Sequence, residues 1–153
     1  MGLDMYMTAR RYLSSYDKNE TVQTARTALA ETLQTLGAPA DSEVKIVDVE
    51  VAYWRKANAI HNWIVAHVQN GDDDCREYTF HRETMQTLLK VCNTVIENPE
   101  EAEELLPPSS GFFFGSTEID SYYWRDVKYT RDRLIEFLKP ESSAWRFCYQ
   151  SSW

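Results

Sequence analysis

This chain of 153 residues is short of the residues that punctuate or staple a fold, with five glycines, five prolines, three cysteines and three histidines. Cys75, Cys92 and Cys148 are odd in number and widely spaced, which excludes the disulfide framework of small secreted domains. The N-terminus lacks a basic region leading into an apolar stretch, so free thiols and a cytosolic setting are expected. No apolar run approaches the roughly 20 residues that cross a bilayer, and membrane association is not expected. Cations are scarce as well: 16 Lys and Arg stand against 24 Asp and Glu, a formal charge of −8. That balance argues against general nucleic-acid binding, which needs positive charge gathered on one face. The acidity reads as a device for solubility, with imitation of a polyanion as the sharper alternative.

Reaction motifs are missing too. Neither G-x-G-x-x-G nor G-x-x-x-x-G-K-[ST] occurs, so no nucleotide loop is written in the chain. His61, His67, His81, Asp72, Asp73, Asp74 and Cys75 do not fall into H-E-x-x-H, C-x-x-C or EF-hand spacing, and no metal or cofactor is expected. Cys75 near His81 is the one nucleophile and base close in sequence, and the negative charge of the aspartates beside that thiol is expected to disfavour a thiolate nucleophile. The motifs leave enzyme status open, with a non-enzyme as the first reading.

What is present is pattern. The length suits one ordinary domain with its own core, so residues 1–153 are expected to form a single globular domain. Leu3, Met5 and Met7 alternate with polar neighbours, as in a half-buried strand. Val22, Ala25, Leu29, Leu33 and Leu36 recur at helical spacing before Gly37 and Pro39, which predicts an amphipathic helix. Glu43 to Tyr53 is β-branched, changes alternation phase between Ile46 and Val47, and is expected to be the central strand. Ile60, Trp63, Ile64 and Val68 mark the buried stripe of a second helix that ends at Asn70-Gly71, leaving His61 and Asn62 off the stripe.

A short strand around Glu77–Phe80 precedes a third helix on Met85, Leu88, Leu89, Cys92, Val95 and Ile96. A helical turn over Glu100–Leu106 follows. Thr117, with Asp120 three residues on, fits a cap for a fourth helix on Tyr123, Val127, Leu134 and Leu138 that Pro140 ends. Trp145, Phe147 and Tyr149 alternate as a last strand, and the terminal Trp153 is expected to be packed or at a subunit interface of a homo-oligomer. The whole predicts an α+β fold: a small, mostly antiparallel sheet of about four strands with about four helices, against a parallel doubly wound alternative.

Two segments concentrate binding chemistry. Tyr53-Trp54-Arg55-Lys56-Ala57-Asn58-Ala59-Ile60-His61-Asn62-Trp63 crowds aromatics, cations and a histidine at a strand-to-helix junction. A helix N-terminus offers unpaired N–H groups to an anion there, and Arg55, Lys56, Asn58 and His61 sit beside it. The bland alternative is that Arg55 and Lys56 only meet solvent while His61 bonds within the fold. Gly111-Phe112-Phe113-Phe114-Gly115 places Phe112, Phe113 and Phe114 in a loop, as a pocket or partner surface or as a plug at the end of the sheet.

The opening Met1-Gly2-Leu3-Asp4-Met5-Tyr6, the block Tyr53 to His61, the loop Ser110 to Thr117 and the ending Tyr149-Gln150-Ser151-Ser152-Trp153 together resemble a widespread family of small tailed-bacteriophage proteins over nearly the whole chain. The phosphoglycerate-kinase label carried by some members cannot apply to a chain lacking both the length and the two-domain nucleotide site. The resemblance implies an accessory factor in the host cytoplasm. Its first form is a non-enzymatic binder that neutralises a host protein, including one of antiviral defence, through Trp54, Arg55, Lys56, Asn58, His61 and Phe112 to Phe114. A second form is a sponge for a small signalling nucleotide, with Arg55, Lys56 and His61 on phosphate and Trp54 or Phe113 stacked on the base. A third is a small enzyme using His61 as acid or base.

Overall fold

The computed structural model describes residues 2–111 and 114–153. Four strands form an antiparallel sheet in the order β2-β1-β4-β3, accompanied by five α-helices among the described residues. In chain order these are β1 (Asp4–Tyr12), α1 (Glu20–Thr35), β2 (Ile46–Arg55), α2 (Asn58–Val68), β3 (Tyr78–Thr79), α3 (Arg82–Glu97), α4 (Ala102–Leu105), α5 (Ser121–Phe137) and β4 (Arg146–Ser152). The α+β class read from the patterning is the one observed. The chain divides into two compact units, one of Met1–Ala9 with Glu50–Trp153, the other Arg10–Val49.

The larger unit holds the hydrophobic core. Met5, Met7 and Ala9 point one way from β1, as the alternation predicts, and join Ala52 and Trp54 of β2 and Phe147 and Tyr149 of β4. Helix α3 adds Met85, Leu88, Cys92 and Val95, while α5 adds Tyr123, Val127, Leu134 and Phe137. Fully burying each large side chain contributes roughly 1.5 to 3 kcal/mol. Burial also pushes the Cys92 thiol up to about 12, so it serves as a small apolar group. Register at the β3 edge pairs Tyr78 with Tyr149 and Thr79 with Cys148.

Three expectations are corrected. Strand β2 lies at the edge of the sheet, not at its centre, because β1 and β4 take the interior places; only Ala52 and Trp54 of its residues are buried. His61 belongs to the buried side of α2, since that helix buries Asn58, Ala59, Ile60, His61, Trp63 and Ile64, too many for one narrow stripe. The cap of α5 is Asp120 and not Thr117: the Asp120 carboxylate accepts the N–H groups of Tyr122 at 2.8 Å and Tyr123 at 3.0 Å.

The smaller unit, Arg10–Val49, buries only Leu13 and Val22 among its apolar side chains. Helix α1 has the expected stop and a side-chain cap at its start. The Asn19 side chain accepts the N–H of Thr21 at 2.9 Å, and Gly37, at φ 94°, lets the Ala38 N–H return to the Leu33 carbonyl. Its apolar stripe, in contrast, is largely exposed: Leu29, Leu33 and Leu36 all meet solvent, with Leu36 at 79%. Spacing set that stripe, but the unit supplies little apolar surface to cover it. No helix among the described residues is long and apolar enough to cross a membrane.

Candidate functional site

The site builds from the end of β2. Lys56 turns the chain from strand to helix with φ 59°, an uncommon left-handed conformation for a lysine. Its N–H is held by the Leu3 carbonyl at 2.7 Å, and its own carbonyl accepts the Asn58 N–H at 2.9 Å. Helix α2 then starts at Asn58, with Ala57 as an N-cap that provides no side-chain acceptor for the first-turn N–H groups.

Asn58 closes a loop onto this junction. Its Nδ2 donates to the carbonyls of Phe114 at 2.9 Å and Ser116 at 2.8 Å, while its Oδ1 accepts the Ser109 N–H at 3.0 Å. Only this orientation of the amide serves two carbonyls and one N–H. Gly115 passes against Lys56 with φ 90°, where an added Cβ would lie 3.2 Å from the lysine Cβ, so both the conformation and the close approach call for glycine. The Phe114 ring stands edge-on to His61, centroids 5.2 Å apart. The junction and the aromatic loop, separate in sequence, thus meet in one place.

His61 is buried, with 1% of its surface exposed. Its Nε2 lies 2.9 Å from Asp73 Oδ2 and its Nδ1 2.7 Å from Tyr149 Oη. Burial holds the Tyr149 hydroxyl far above the usual tyrosine range, so it remains a phenol. The neutral tautomer with hydrogen on Nε2 satisfies the whole array: Tyr149 donates to Nδ1 and His61 donates to the carboxylate. Asp73 Oδ1 also accepts Trp153 Nε1–H at 3.2 Å, and the Trp153 ring stands 6.4 Å from Phe114. The indole remains 44% exposed.

Beside this buried array lies an open cavity of about 490 Å³. One wall is the junction, Arg55 to Ile60; a second is Pro108, Gly115 and Ser116 of the clamped loop; a third is Glu118 to Val127, chiefly the start of α5. Its volume falls in the range of small-molecule sites. On the third wall, Arg125 forks onto Asp126 through Nε at 3.0 Å and Nη2 at 2.9 Å, and its guanidinium lies 5.0 Å from the Tyr122 ring centroid. Partial burial raises the Asp126 pKa, opposed by that arginine. Arg55 Nε is 3.9 Å from Asp4. Lys56 makes no ion pair among the described residues.

Of the residues singled out from sequence, Arg55, Lys56 and Asn58 line the cavity. Trp54 is buried, with Nε1 donating to Thr130 Oγ1 at 2.9 Å and its ring edge-on to Tyr129. His61 and Phe114 form the packing behind the loop, and Phe112 and Phe113 lie outside the described residues. Glu118, Tyr122, Arg125 and Asp126 went unmarked by sequence reasoning. Their signal is the run Tyr122-Tyr123-Trp124-Arg125, which crowds aromatics and a cation at a helix start much as Tyr53-Trp54-Arg55-Lys56 does. In comparisons with known proteins, no family model, curated protein or solved structure matches this chain.

Proposed function

We propose that this protein is a non-enzymatic binder of a small anionic molecule, a signalling nucleotide being the fitting class, which it sequesters in the cavity between the β2–α2 junction and the start of α5. The observation that carries this reading is Lys56, an ammonium with no ion-pair partner among the described residues, lining a cavity of about 490 Å³ beside the first turn of α2, which has no side-chain cap. The phage-family resemblance supplies a setting in which such a sponge is useful, a host cytoplasm containing nucleotide signals. Thermal melting across a panel of nucleotides and phosphates tests it. A bound nucleotide at about 100 times its Kd stabilises by about 2.7 kcal/mol, roughly 5–10 °C for a chain of this size. Lys56→Ala abolishes that shift and Arg55→Ala reduces it; a flat response to the whole panel would sink the reading.

A second reading, capture of a host protein, is favoured by the exposed apolar side chains of the Arg10–Val49 unit, where Tyr16 is 92% and Leu36 79% exposed. Here Leu33→Asp with Leu36→Asp removes co-purification of the host partner, and unchanged co-purification counts against this surface. The third reading, acid–base catalysis by His61, meets a ring whose nitrogens are both occupied and which is almost wholly out of solvent.

A further inference from the structure

The cavity lining carries three cations and three carboxylates: Arg55, Lys56 and Arg125 against Glu118, Asp120 and Asp126. Most of these charges are committed inside the fold. Arg125 is paired with Asp126, Asp120 caps α5, and Arg55 lies near Asp4. Two remain. Lys56 and Glu118 both line the cavity, and neither side chain makes an ion pair or hydrogen bond among the described residues, with each other included.

From this we infer that the ligand is bipolar: a nucleotide whose phosphate lies against Lys56 and whose base presents N–H donors to Glu118. The inference rests on the proposed function above and specifies it. A purely anionic ligand would place negative charge near Glu118, a repulsion that a cavity selecting for anions alone would avoid. A purely cationic ligand would meet Lys56 in the same way. A molecule carrying an anion at one end and hydrogen-bond donors at the other answers both charges.

Within that class, guanine suits a lone carboxylate best. Its ring N–H and exocyclic amine point the same way and can give two parallel hydrogen bonds to one carboxylate, the geometry that makes arginine–carboxylate forks strong. The exposed Tyr122 ring, held by the Arg125 guanidinium, adds an aromatic wall for a flat base.

Calorimetric titration of the full chain with guanosine monophosphate, inosine monophosphate and ribose phosphate tests the inference. Inosine lacks the exocyclic amine, so one bond to a charged acceptor is lost and binding weakens roughly tenfold. Glu118→Gln reduces that preference to less than about twofold and strengthens ribose phosphate binding, since it removes a negative charge from the lining while Lys56 still meets the phosphate. Glu118 is exposed, so the variant folds, as its melting curve will confirm. Equal affinity for the two nucleotides, or a preference that survives Glu118→Gln, overturns the bipolar assignment while leaving the anion pocket standing. Failure of all three phosphates to bind overturns the pocket reading and this inference together.

Discussion

Asn58 shows how one side chain can hold a loop against a cavity. Its amide is buried and satisfies three backbone groups of the loop at residues 109–116, so removing it leaves two carbonyls and an N–H without their partner. Asn58→Ala should cost about 2 to 3 kcal/mol, and Asn58→Asp at least as much despite its equal size, because a carboxylate cannot donate to the Phe114 and Ser116 carbonyls. Denaturant midpoints check the cost, and faster exchange of the Ser109 amide locates it in the loop. From the sequence, Asn58 and His61 looked like cations' neighbours at an anion site. Their true partners, Phe114 and Tyr149, are 56 and 88 residues away, which no local pattern reports. Lys56 and Arg55 were legible because charge at a strand-to-helix junction is a local property; Glu118 was not, because its place in the lining of the same cavity depends on how distant segments pack.

Among the elements, α3 and β1 followed their apolar periods, whereas α1, α2 and β2 departed from theirs. Helix α3 buries Met85, Leu88, Cys92 and Val95, a single face at helical spacing. Strand β2 misled because β-branched content registers local preference for extended backbone and not the number of neighbours a strand acquires. Its place at the edge was decided by β4, which closes on β1 from the far end of the chain. The start of α5 offers a direct test of where capping resides. Asp120→Ala removes the acceptor for two N–H groups and should cost about 1 kcal/mol, a fall of roughly 2–4 °C in Tm, whereas Thr117→Ala should leave Tm nearly unchanged.

For the whole molecule, the division into two compact units sets where the core and the cavity lie. The core and the cavity both belong to the unit of Met1–Ala9 with Glu50–Trp153, and the Arg10–Val49 unit displays apolar side chains it does not bury. Because Leu33 and Leu36 are already exposed, replacing both with aspartate should change stability by no more than about 0.5 kcal/mol per site, as read from the denaturant midpoint. A loss of partner capture at unchanged stability would then report an interface and not a folding defect.

By itself the sequence determined the secondary structure and class of this protein, because period-two and helical apolar spacing, caps and breakers act over a few residues and need no knowledge of what lies opposite. It also marked Arg55 and Lys56 at a junction. Only the tertiary structure decided that the junction and the aromatic loop meet, that His61 is enclosed between Asp73 and Tyr149, and that Glu118 and Lys56 line the same cavity without pairing with each other. Those facts depend on contacts between residues far apart in the chain, whose geometry is set when the sheet and helices pack.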